Sequence, residues 1–193
     1  MPKLTEEAKE ARKEAILGPA RRCFADYGYE GATVARLEAA TGLSRGAIFN
    51  WYGTKEELFL ALADADAARF ASLWLDGGFE EVLRALLVED PAWLGVYFEI
   101  GRRLRTDASF RERWSHRAPD FERRLEERLR GLQAAGELRG DVGWQTLGRF
   151  MGIVADGLAV RRATGFETDD VEALITVALS AIRPASERAP DRA

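Results

Sequence analysis

Apolar residues recur along this chain at intervals of three and four, in blocks separated by short glycine, proline, aspartate or serine breaks. No stretch alternates apolar and polar residues long enough to make a strand, so the pattern predicts an all-α protein. The first block puts Ile16, Leu17, Ala20, Phe24 and Tyr27 on one helical face, with Cys23 beside them as a small core residue. Gly18-Pro19 interrupts it; a proline in a helix interior costs roughly 3 kcal/mol. Either a kink or a helix that restarts with Pro19 in its first turn follows, and the kink is the expectation. Gly28 and Gly31 end this helix. Thr33 caps a short second helix over 34–40 with Val34, Leu37 and Ala40 inward, and Thr41-Gly42-Leu43 makes a tight turn. Ser44 caps a third helix over 45–51, and Thr54 with Glu57 forms a capping box that opens a long connecting helix to about Leu75. Further helices are expected near 79–88, 91–105, 107–115, 119–135, 142–164 and 168–183.

Two short helices joined by a glycine-containing turn, here residues 33–52, have the helix-turn-helix layout. Ala47 and Ile48 can face the core, which leaves Arg45, Gly46, Phe49, Asn50, Trp51 and Tyr52 for outside work. Three consecutive-turn aromatics exceed what one buried stripe needs, so at least one ring is expected to be exposed. A helix fits the major groove with its N-terminal residues toward base edges. Ser44 and the amides at its helix start suit a phosphate. Arg45 reaches phosphate or a guanine edge, Gly46 lets the backbone come close, and Asn50, the only asparagine in the chain, suits adenine.

The runs Gly28-Tyr29-Glu30-Gly31-Ala32-Thr33-Val34, Ala40-Thr41-Gly42-Leu43-Ser44-Arg45-Gly46-Ala47-Ile48-Phe49 and Tyr52-Gly53-Thr54-Lys55-Glu56-Glu57-Leu58 closely resemble the signature of the TetR family of repressors. The match extends back through Ile16-Leu17 and Phe24. The resemblance implies that Thr33 and Lys55 clamp phosphates, that Trp51 touches the DNA backbone, and that Tyr52 stands where the family has a mostly buried Phe. Pro19 and Gly53 depart from the family pattern. The expected DNA-binding set is therefore Thr33, Ser44, Arg45, Gly46, Ala47, Phe49, Asn50, Trp51, Tyr52 and Lys55. The resemblance further implies a three-helix DNA-binding head over 1–54, an effector-binding and dimerisation body over 55–183, and a tail over 184–193 whose polar composition reads as disordered.

One recognition helix covers too few base pairs for specificity, so a homodimer on a palindromic double-stranded operator is expected. The last helix carries Val171, Leu174, Ile175, Ala178, Leu179 and Ile182 in a regular stripe, and the one before it Leu147, Phe150, Met151, Val154 and Leu158 with small Gly148, Gly152 and Ala155. The pair resembles the family's dimerising hairpin; Phe150, Val154 and Leu158 join the last-helix stripe in the expected interface, with packing inside one chain as the alternative. A pocket for a small apolar or acyl-like effector is expected among Trp93, Tyr97, Phe98, Arg102, Trp114, Phe121, Phe150 and Asp156, with Arg103 and His116 as further polar candidates.

Bulk properties narrow the alternatives. Of 193 residues 47% are hydrophobic, enough for a sizeable core. The N-terminus lacks the apolar stretch of a secretory signal and no run suits a membrane span, so a cytoplasmic location is expected. One cysteine and one histidine leave little material for a metal centre or Cys–His chemistry, and no cofactor is expected. A helical carboxylate metalloenzyme would need Glu-x-x-His pairs on facing helices, which one histidine does not allow. A ligand-binding module with a vestigial head is the other alternative. The net charge of −4 looks unfavourable for a DNA binder, but residues 1–57 hold nine basic and nine acidic side chains, so the excess acid lies in the remainder.

Overall fold

A computed structural model describes residues 5–115, 120–165 and 170–184. The described residues are helical: α1 (Glu6–Gly31), α2 (Val34–Thr41), α3 (Arg45–Tyr52), α4 (Lys55–Ser72), a π-helical turn (Leu73–Gly77), α5 (Phe79–Val88), α6 (Pro91–Glu99), α7 (Gly101–Thr106), α8 (Ala108–Ser115), α9 (Phe121–Ala134), α10 (Trp144–Thr164) and α11 (Val171–Ile182). His116 and the tail from residue 185 lie outside the described residues.

α1 is neither split nor restarted at Pro19; helical geometry runs through it and breaks at Gly28, with φ 69° and ψ 173°. Two physical demands meet there. A side chain would strain that φ, and a Cβ would stand 2.5 Å from the Glu99 carboxylate, which accepts the Tyr29 amide at 2.9 Å. The bend turns Tyr29 into the core, between Phe24 and Phe59. Tyr27, expected on the buried face, is instead 49% exposed beneath the Arg36 guanidinium.

The capping signals act as the sequence implies. Thr33 Oγ1 accepts the Arg36 amide, Ser44 Oγ the Ala47 amide and Thr54 Oγ1 the Glu57 amide. Gly42 takes the left-handed conformation that ends α2. Ala40, expected inward, is exposed, since Leu37 alone of that face reaches the interior. The helix expected over 91–105 is two, interrupted at the buried Ile100.

Packing divides the chain into two compact units. Residues up to Ala67 join the segment from Asp90 through α8 in one; Ala68–Glu89 join the described residues from α9 onward in the other. α6 thus packs on α1, a grouping other than a boundary at residue 54. The first unit's core centres on Ile16, Phe24, Leu37, Ile48, Leu58, Phe59, Trp93 and Phe110. In the second, α5 packs on α10 and α11, burying Val82, Leu83, Leu86, Leu147 and Met151. Leu158, Ile175, Ala178 and Ile182 are buried here as well, within a single chain. These four were expected at a dimer interface. A helical stripe has to cover apolar area against whatever lies nearest, and that is this chain's own core.

Candidate nucleic-acid interface

α2, the turn at Gly42 and α3 hold the helix-turn-helix through one inward residue each: Leu37 from α2 and Ile48 from α3 are fully buried, with Leu43 packed against the same cluster. With Ile48 fixed inward, the start of α3 faces out. Ser44, Arg45, Gly46 and Asn50 are exposed and Ala47 is partly so. Among the described residues neither the Arg45 nor the Asn50 side chain is hydrogen-bonded, and a Cβ at Gly46 would meet open space. The chain's own packing therefore does not explain why that position is glycine.

The remaining predicted residues divide. Thr33 is exposed at the start of α2. Phe49 and Trp51 are partly buried against the first unit's core. Tyr52, outward by spacing but at a mostly buried place by resemblance, is buried; its hydroxyl donates to the Lys13 carbonyl of α1 at 3.1 Å, and burial pushes its pKa up to about 12. The Lys55 ammonium donates to the Tyr29 carbonyl at 2.7 Å and the Glu30 carbonyl at 3.4 Å, over the Tyr29 ring, so it closes the end of α1. Burial lowers its pKa.

One participant was not foreseen. The Glu38 carboxylate accepts the Arg45 amide at 2.6 Å, so a protein anion already occupies part of the α3 N-terminus. Its seven-residue spacing to Arg45 crosses the turn, where no single-helix periodicity points to it.

The family described as "Bacterial regulatory proteins, tetR family" matches residues 16–62. The HTH-type transcriptional repressor AcnR of Corynebacterium efficiens is 44% identical over 174 residues, covering 89% of this chain and 92% of that protein. The chain belongs to the TetR family. It is a DNA-binding transcriptional regulator of the repressor class and not an enzyme. Among solved structures, Salmonella enterica GusR shares the fold at TM-score 0.71 and 22% identity, over 93% of this chain and 98% of that one. A cysteine-substituted CifR, a TetR-family regulator complexed with a 26-base-pair double-stranded operator DNA, superposes at TM-score 0.67 and 26% identity over 94% and 99%.

Of the residues expected at an effector pocket, five lie in the first unit and three in the second. Trp93, Tyr97 and Trp114 pack around Phe59 inside the first unit. Phe98 is 46% exposed. Arg102 lies at a polar cavity with Tyr29, Glu99, Arg103 and Asp107, and Arg103 is committed to Glu56, Asp107 and the Tyr29 hydroxyl. Phe121, Phe150 and Asp156 belong to the second unit. The rings of Trp93, Tyr97 and Trp114 pack with the first unit's core. Among the described residues no cluster suits a metal ion, and no helix is long and apolar enough to cross a membrane.

Proposed function

We propose that this chain is a ligand-responsive repressor that binds a palindromic operator as a homodimer and is released by a small, apolar or acyl-like effector. The observation that carries it is the outward edge of α3: Ser44, Arg45, Gly46 and Asn50 are exposed while the opposite side of the same helix is locked into the core. That arrangement suits entry into a major groove, with Thr33 at the flanking phosphates. The operator-bound CifR supports it by fold and sequence likeness.

Dimerisation is supported by apolar side chains left uncovered. Ile153 (71% exposed) and Val160 stand on the same exposed side of α10, and Leu174 and Val177 (66%) are exposed on α11. They replace the buried residues of the expected stripe as the candidate interface, Leu174 being common to both. Effector control follows from linkage: a ligand that binds better to one conformation of the body shifts α4, and with it the spacing of two recognition helices.

A band shift on duplex from the protein's own upstream region tests the reading. Arg45→Ala is expected to weaken that complex at least tenfold, as loss of a base or phosphate contact should, with the melting temperature unchanged. Affinity within twofold of the unaltered chain overturns it.

A further inference from the structure

The second unit contains a cavity of about 220 Å³ lined by the π-helical turn, α5, α9, α10 and α11. We propose that it binds small amphipathic monocarboxylates, the carboxylate on Arg128 and the hydrocarbon among the leucines of α9. The inference rests on the effector-responsive reading above and gives that effector a site and a chemical class.

Carbon dominates the wall. Trp74 of the π-helical turn, Leu125, Leu129 and Leu132 of α9, and Met151 of α10 supply it. Charge at the wall is sparse. The Glu80 carboxylate is taken by Arg84 at 2.9 Å, and Glu137 is exposed, where water satisfies it. Arg128 is different: it is half-buried, and among the described residues its guanidinium has neither a hydrogen-bond acceptor nor an ion-pair partner. Arg123 and Arg130 on the same helix are both ion-paired. A guanidinium withdrawn from water favours an anion, and a carboxylate matches its fork with two parallel hydrogen bonds.

Size narrows the class. A dry cavity of about 150 Å³ holds a six-carbon ring, so by proportion this one takes roughly nine non-hydrogen atoms. Gly78 in the turn, at φ 81°, adopts a conformation that side chains resist, and it lies beside the Arg128 guanidinium.

The π-helical turn continues α4 directly, is closed by the Gly78 amide donating to the Leu73 carbonyl at 2.8 Å, and stacks Trp74 on Phe79. Single π turns within helices cluster at functional sites. An occupant of the cavity would meet Trp74 within this turn.

Calorimetric titration of the full chain with heptanoate and with heptanamide tests the site. The two probes share size and chain and differ in charge. Heptanoate is expected to bind at least tenfold more tightly, Arg128→Gln to bring its affinity within twofold of the amide, and Leu132→Trp, which fills the cavity, to remove both. Equal affinity of the two probes for the unaltered chain overturns the proposal without any variant having to fold. So do an unchanged heptanoate affinity in Arg128→Gln and an absence of saturable heptanoate binding at millimolar concentration. A band shift with added heptanoate separates the two claims. Binding through Arg128 that leaves the operator complex intact upholds the site and refutes its effector role, whereas failure to bind refutes the site and leaves the operator reading standing.

Discussion

Tyr52 ties two helices of the first unit together. Its ring fills the space between α3 and α1, and its hydroxyl ties the end of α3 to the Lys13 carbonyl. The pKa is raised because a phenolate would have to be buried there. A raised pKa means that the folded chain favours the neutral phenol. The associated stability is complete below pH 10 and is lost as the pH climbs toward about 12. The full effect is on the order of 3 kcal/mol. Tyr52→Phe is therefore expected to flatten that part of the stability curve and to cost about 1 kcal/mol at neutral pH for the missing hydrogen bond. Urea unfolding at pH 8 and pH 11 checks this; an unchanged pH dependence in the variant contradicts it. Spacing allows Tyr52 an outward place, while the family resemblance puts it where a mostly buried Phe stands. In an eight-residue helix carrying Phe49, Trp51 and Tyr52, periodicity does not choose which ring turns inward. The choice depends on a carbonyl 39 residues away. Arg45, Gly46 and Asn50 were legible because fixing Ile48 inward leaves them no other side. The contacts of Lys55 with the end of α1 were not, since they require the bend at Gly28.

Among elements, α4 is the one whose attachments matter most to the reading head. Asp66, 7% exposed, accepts hydrogen bonds from the Trp93 indole and, at 2.9 Å, from the Tyr97 hydroxyl of α6, and it lies 3.3 Å from Arg21 of α1. Three helices thus meet at one carboxylate. The Arg21 guanidinium also covers the Trp93 ring. Asp66→Ala removes the acceptor and strands a buried indole N–H beside a partly buried cation, at an expected cost of about 3 kcal/mol. Equilibrium unfolding in urea measures it, and a loss below about 1 kcal/mol would show that α4 is held mainly by apolar packing. Nothing in the local pattern singles out Asp66, because Asp64 and Asp66 alternate with alanines like a solvated helix face. Helix boundaries were far more legible. Thr33, Ser44 and Thr54 as caps and Gly42 as a terminator act locally, and local signals survive tertiary context.

For the whole molecule, the all-helical class and the order of elements were readable from spacing, while the partners of each face were not. The stripe on α10 and α11 has the same period whether it closes a chain's own core or a twofold interface. In the structure Leu158, Ile175, Ala178 and Ile182 close the core, and Ile153, Val160, Leu174 and Val177 remain uncovered. The packing of α6 on α1 was likewise hidden, because helical periodicity does not say which distant helix a face will meet. Two copies of α3 acting on one operator is the claim on which the account turns. Hydroxyl-radical footprinting of the full chain on its own upstream DNA tests it most directly. The expected result is a pair of protected patches related by a dyad, about one helical turn or a whole multiple of it apart, and carrying two protein copies. Protection of a single patch by one copy, or coverage without sequence preference, would contradict it.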